Sequence, residues 1–327
     1  MNGSINKVEW DMLKKFELDY LTADLAAVDA LLASRSEAQS PFSFFQYTCR
    51  KAALEEEVRR VSAHPDLHAE LGIFFGGTPV MGARGINADF ALKALDDLQS
   101  LIAEKYARTA AAPLEQSGHV AFNDMSSALL TDVVSGSTGF ALEEAVDPTR
   151  TTATPLSLVV GELADIFAGI GAGEAAIVDK AVAALDQRLL VTMRRFFVRL
   201  DEHKATLRIV CGARDVSLNA RAVTLARRRL QNTEIEEASA EYVGTVFLLP
   251  QSRQFELQTM VDSTAVTLSG IMADEAAAQF SIDARNVSQH RRTVVINTKV
   301  IKERNRPPRR VDCLVRVLEK TAMVLEA

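Results

Sequence analysis

The chain has 327 residues, 48% hydrophobic and 24% charged, with a formal net charge of −6. That length exceeds one ordinary core and points to two or three domains, and the balance of apolar and charged residues excludes global disorder. Net acidity excludes a protein that coats nucleic acid along its whole surface, and an aromatic content of 6% excludes extensive base-stacking platforms.

Cys49, Cys211 and Cys313 are too few and too scattered for a disulfide framework or a zinc knuckle, and read as small buried hydrophobes. The first twenty residues are polar and mixed in charge, unlike a signal peptide. Nowhere do about 18 uncharged apolar residues run together, so no membrane span is expected and a cytoplasmic location is.

Apolar residues recur at helical spacing over 8–34: Trp10, Leu13, Phe16, Leu21, Leu25, Val28, Leu31 and Leu32. A break over 36–41 precedes a second helix over 47–63, which His64-Pro65 ends, because a residue before proline avoids the α region. Residues 71–75 read as a strand, Gly76-Gly77 as a hairpin turn and 79–81 as the returning strand. After a glycine loop, Asn87 can cap a helix over 88–106. A hairpin is expected from 127–134 and 139–142, and the polar stretch 147–154 reads as a boundary. Residues 156–203 predict two helices broken near Gly169–Gly173, whose glycines lack the Lys-Ser/Thr of a phosphate loop. A hairpin over 207–218 leads to a helix capped by Asn219, and 233–241 reads as an acidic connector.

The period then changes to that of strands over 242–249, 253–258, 265–271, 292–301 and 311–318, with a short helix over 274–280. That order predicts a small, highly curved barrel, SH3-like or Sm-like. The expected fold class is therefore α+β: a helical and hairpin body over 1–150, a helical and hairpin region over 151–237 and a barrel over 238–327.

Three segments carry a resemblance: ELGIFFGGTPVMGARGINADFA over 70–90 (with Ala91 closing it), SGSTGFALEE over 135–144 and GTVFLLPQSRQFEL over 244–257. The chain resembles a widespread family of conserved hypothetical bacterial proteins, in which phenylalanine is expected where Thr138 stands and glutamate where Gln251 stands. The resemblance implies a bacterial origin and a shared architecture, and it carries over no catalytic residue. A link to phage defence belongs to that resemblance and not to any residue.

Several groups invite chemistry. His64 and His68 are spaced to share a metal ion, but Pro65 spoils the helix between them and no third ligand is evident, so no metal is expected. Ser135, Ser137 and Thr138 lie among glycines without the Gly-x-Ser-x-Gly pattern, and adjacent Glu143 and Glu144 on a strand face opposite ways. The loop over 76–85 is a candidate anion site through Gly77, Thr78, Gly82, Arg84 and Gly85, because backbone N–H groups and an arginine fork suit an oxyanion. The same glycines also suit an ordinary tight turn.

Positive charge concentrates near the C-terminus. Arg291, Arg292, Lys302, Arg304, Arg306, Arg309 and Arg310 are the candidate partner-binding residues, and KERNRPPRR over 302–310 reads as a hairpin tip stiffened by Pro307-Pro308. Such a tip suits a protein partner or self-association first and nucleic acid second, or it guards a sheet edge. Arg194-Arg195 and Arg227-Arg228-Arg229 are lesser clusters, the latter within reach of Glu234, Glu236 and Glu237. No cofactor and no enzymatic activity are expected. The residues point to a binding or assembly component, with two alternatives open: an enzyme or sensor for an anionic small molecule at the glycine loop, and a structural homo-oligomer subunit.

Overall fold

A computed structural model describes residues 14–35, 40–63, 67–109, 126–134, 138–145, 152–249, 252–261, 264–273, 276–277, 291–304 and 306–318. These residues fall into two compact units, one within 1–114, 118–181 and 195–227, the other within 182–194 and 228–327.

In the first unit, helices α1 (Lys14–Ala33) and α2 (Pro41–Ala63) form an antiparallel hairpin. Leu18, Leu21, Leu25, Val28 and Leu32 on α1 alternate three and four residues apart, the heptad pattern of a coiled-coil seam. Tyr47, Leu54, Val58 and Val61 oppose them from α2. Lys51 replaces an apolar residue within the α2 seam and reaches Asp29 at 2.7 Å, while Arg50 meets Asp24 at 2.6 Å. The second helix starts six residues before the predicted 47, because Pro41 is pre-set for a first helical position.

Strand β1 (Glu70–Gly77) is the centre of a five-stranded antiparallel sheet, not one arm of a hairpin. The chain runs from β1 through a 3-10 turn (Gly82–Arg84) into α3 (Ala88–Thr109), then to β2 (Ala128–Val134) and β3 (Gly139–Glu144). Helices α4 (Pro155–Gly171), α5 (Ala175–Ala183) and α6 (Gln187–Glu202) precede β4 (Ala205–Cys211), β5 (Arg214–Leu218) and α7 (Ala220–Gln231). The sheet order is β2-β3-β1-β4-β5.

Gly76 and Gly77 continue β1 beside Thr206 and Ala205, and the predicted returning strand is reduced to one bridge between Val80 and Ile86. The glycines serve close approach. A Cβ on Gly77, whose φ is 85°, would overlap the Lys204 carbonyl oxygen. Being central, β1 is buried on both faces, which is why its apolar run does not alternate. Leu71 and Ile209 meet Leu98 and Ile102 of α3 and Val160, Leu163 and Phe167 of α4 on one face. On the other, Phe74 packs edge-on against Phe16 at 5.5 Å between ring centroids, and Arg208 lies over both rings.

Caps set the helix starts. Asn87 Oδ1 accepts from Phe90 N, Thr154 Oγ1 from Ser157 N, Asp186 Oδ1 from Leu189 N and Asn219 Oδ1 from Ala222 N. The Asp186 cap divides the predicted second helix, so 155–202 holds three helices rather than two. Glu144 accepts from Ala69 N at 3.0 Å and Thr154 Oγ1 at 2.5 Å, tying β3, β1 and the start of α4; Glu143 takes the Thr131 hydroxyl.

The second unit holds a closed barrel of β6 (Thr233–Leu249), β7 (Gln254–Val261), β8 (Thr264–Met272), β9 (Arg291–Glu303) and β10 (Arg309–Leu318), ordered β10-β8-β7-β6-β9. Val246, Phe255, Leu257, Leu268, Val294, Ile296 and Leu314 fill it. The acidic connector predicted over 233–241 is the first half of β6. Buried Thr233 and Ile235 alternate with exposed glutamates there, and every residue pairs with β9. Of the short helix expected over 274–280, only Ala276 and Ala277 lie within the described residues. Closure rests on a short parallel ladder, Cys313 beside Ile271 and Leu314 beside Met272. Among the described residues no helix is long and apolar enough to cross a membrane.

Gly270 permits that closure, since a Cβ there would overlap the Asp312 carbonyl oxygen. Gly270→Ala is expected to lower unfolding stability by about 1–3 kcal/mol through overpacking. Gly173→Ala, with nothing near its added Cβ, should stay within about 0.5 kcal/mol in the same urea titration. In the first unit, the hydrogen bond from Arg208 holds Asp215 below its usual value of 3.8, against the opposing effect of burial. The pair's stabilisation is therefore full above that usual value and disappears as pH falls through the depressed one. Asp215→Asn should cost roughly 0.5–1 kcal/mol at pH 7 and close to nothing in strong acid, read from paired denaturation curves.

Candidate functional site

The β9–β10 hairpin carries the cationic tip. The last register pair before it is Ile301 with Arg309, and Arg304 N donates to the Asn232 carbonyl at 3.1 Å. Carboxylates of the same unit hold most of the tip's cations. Lys302 bonds Glu236 across the β6–β9 ladder. Glu303 accepts from Arg306 Nη1 at 2.9 Å and Arg309 Nη2 at 2.5 Å. Arg310 Nε donates to both oxygens of Asp312, at 3.0 and 2.9 Å, and Thr298 Oγ1 donates to the same carboxylate at 2.6 Å. Burial pushes the Arg229 guanidinium down while Glu303 opposes that shift. One carboxylate thus organises several arginines.

Pro307, Pro308 and Arg304 are exposed, and Arg304 makes no side-chain ion pair with the described residues. Arg291 and Arg292 start β9, opposite Thr245 and Gly244. From Arg292 to Lys302 the strand advances about 33 Å, so those two arginines lie at the far end from the tip and form no single patch with it. Lys299, another cation of this stretch, is buried and donates to the carbonyls of Ala183 and Leu185 at 2.9 and 2.5 Å.

The glycine loop is held by its own backbone. Val80 N donates to Gly77 O, Met81 N to Gly85 O, Arg84 N to Met81 O and Asn87 N to Pro79 O, all within 2.9–3.2 Å. Gly82 and Gly85 take φ of 56° and 145°, which bends the chain where side chains are disfavoured. Thr78 and Arg84 are exposed, and Arg84 pairs with neither Asp89 nor Glu70; Asp89 instead bonds Lys93 at 2.8 Å.

Of the histidine pair, His64 lies outside the described residues and His68 Nδ1 is buried without a hydrogen-bond partner among them. Among the described residues no three His, Cys, Asp or Glu side chains gather as a metal site. Ser135 and Ser137 also lie outside the described residues, while Thr138 accepts the Phe75 N–H through its carbonyl. At the end of α7, Arg227 bonds Asp201, and Arg194 donates to the carbonyls of Leu230 and Thr233.

Sequence reasoning missed Glu303 and Asp312 as the groups that arrange the arginines. Their spacing is the legible signal: Glu303 precedes Arg306 by three residues, and Asp312 follows Arg310 by two on one face of a strand. Comparison with protein-family models, with curated proteins and with solved structures finds no match.

The two carboxylates differ in burial, and their removal should differ accordingly. Glu303 is 16% exposed and its arginine partners more so, and Glu303→Gln is expected to cost about 1 kcal/mol. Asp312 is only 7% exposed, so Asp312→Asn should cost about 1–3 kcal/mol by leaving Thr298 and Arg310 poorly matched. Chemical denaturation of the two single variants decides it.

Proposed function

We propose that this chain is a non-enzymatic binding and assembly component whose β9–β10 tip docks on an acidic surface of a protein partner. The observation that carries this reading is the pre-set geometry of the arginines. Glu303 and Asp312 hold Arg306, Arg309 and Arg310, and two prolines stiffen the turn, so little side-chain or backbone freedom is lost on docking. Solvated ion pairs of this kind exchange readily, because each is worth about 0–1 kcal/mol.

A phosphate backbone is the less favoured occupant. Of the five cations Lys302, Arg304, Arg306, Arg309 and Arg310, four already bond a carboxylate, Glu236, Glu303 or Asp312, so few of their donors are left for phosphate oxygens. The proposal takes the barrel as an SH3-like or Sm-like module, supported by its closure from five strands. It also takes a bacterial setting, defence assemblies included, from the resemblance of residues 70–90, 135–144 and 244–257.

The double reversal Arg304→Glu/Arg306→Glu tests it against two probes, poly-glutamate and a DNA duplex. Poly-glutamate binding by the unaltered chain at low salt, lost in the variant, is the expected result. Duplex binding with a steep salt slope, abolished by the same variant, would transfer the site to nucleic acid. Unchanged behaviour toward both probes would remove the tip from any binding role.

A further inference from the structure

The first unit holds a second cationic group that the hairpin reading leaves unused. Asp97 on α3 has a side chain 1% exposed, and two arginines of α6 share it. Arg195 Nε bonds Oδ1, and Arg199 Nε bonds Oδ2 at 2.8 Å. A buried carboxylate needs a cationic partner, but one guanidinium already neutralises it. The second is surplus charge, and Arg195 is 51% exposed. Neither guanidinium makes another hydrogen bond or ion pair with the described residues, so their terminal Nη groups keep their donors.

One further cation stands beside this pair, matched by a carboxylate of its own. Arg195 and Arg199 are one turn apart and share a face of α6, and Lys93 lies one turn before Asp97 on α3. Lys93 bonds Asp89 at 2.8 Å, and that hydrogen bond holds the Asp89 carboxyl below its usual range, with Arg199 and His203 acting in the same direction. His203 follows Arg199 by one further turn. Its Nδ1 meets the Arg199 carbonyl at 2.9 Å; a carbonyl only accepts, so Nδ1–H donates. The ring rests 5.1 Å from that of Phe90.

We propose that Arg195, Arg199 and Lys93, oriented by Asp97, bind a phosphate-class oxyanion on the face shared by α3 and α6. Two planar forks and an ammonium together offer more donors than a planar carboxylate can accept, and suit a tetrahedral anion with at least three accepting oxygens. Asp97 is a positioning residue: it fixes both Nε edges and leaves the outer edges of the guanidinium groups for the ligand. The site lies in a different unit from the barrel tip and stands independently of the function proposed for that tip.

Thermal unfolding of the full chain, with phosphate replacing chloride at constant ionic strength, tests the site. A saturable rise in the unfolding midpoint is expected, because a ligand that binds only the folded state stabilises it by mass action. Arg195→Gln leaves Asp97 paired with Arg199, and should raise the half-saturating phosphate concentration at least about tenfold. Lys93→Gln, on an exposed side chain, should shift it in the same direction without disturbing Asp97. The Arg304→Glu/Arg306→Glu variant should respond as the unaltered chain does. Glycerol phosphate acting like the free ion marks an esterified ligand; activity of the free ion alone marks inorganic phosphate. An unaltered chain that shows no saturable rise, an Arg195→Gln variant with an unchanged phosphate response, or equal half-saturation by acetate overturns the assignment. A purely structural triad predicts the second of these, with Arg195→Gln lowering only the starting midpoint.

Discussion

The unbroken antiparallel ladder from Thr233 beside Glu303 to Thr245 beside Arg291 governs the second unit. It joins the strand that leaves α7 to the strand that carries the cationic tip. Val294 and Ile296 fill the barrel from one face of the ladder, Ile235 and Ile301 are buried on its other face, and Glu236 bonds Lys302. A slip of one residue would exchange the two faces of a strand and turn Val294 and Ile296 out of the barrel. The register therefore fixes where the tip begins, which cations are already matched and which stay exposed.

The same rule operates in the first unit, through different groups. The sheet is assembled around β1, whose two faces are both covered, and the polar ties that hold its edges come from residues far apart in the chain. Glu144 binds Ala69 and Thr154; Asp97 binds Arg195 and Arg199; Asp215 binds Arg208 beneath the Phe16–Phe74 contact. In each case a carboxylate on one element fixes the direction of a donor on another. An arginine held by one edge is both a structural tie and a presented donor group, and the α3–α6 face and the barrel tip have that arrangement in common.

What local pattern determines was legible. Helical spacing located α1, α3 and α7, and alternation located the strands of the barrel from 242 onward. Asn87 and Asn219 announced their caps, and the pair of hairpins β2–β3 and β4–β5 followed from short apolar runs around turn residues. The cationic hairpin tip was legible for the same reason, since KERNRPPRR between two strand-like runs leaves few other conformations. Each of these depends on residues within a few positions of one another.

Pairing and charge balance were decided only by the tertiary structure. Gly76-Gly77 has the composition of a turn, yet pairing with β4 carries β1 on through it, because glycine there admits the Lys204 backbone. Residues 233–241 have the composition of a connector, yet β9 makes them a strand, since a ladder partner some sixty residues away satisfies their backbone groups. Seven basic residues read as one patch, but strand length carries Arg291 and Arg292 to the opposite end, and Glu236, Glu303 and Asp312 meet most of the others. Asp97 gave no signal in the sequence at all, because its arginine partners lie about a hundred residues further along. Local propensity is set by neighbours in the chain, whereas the partner of a buried charge or an open strand edge is set by which distant segments the core brings beside it.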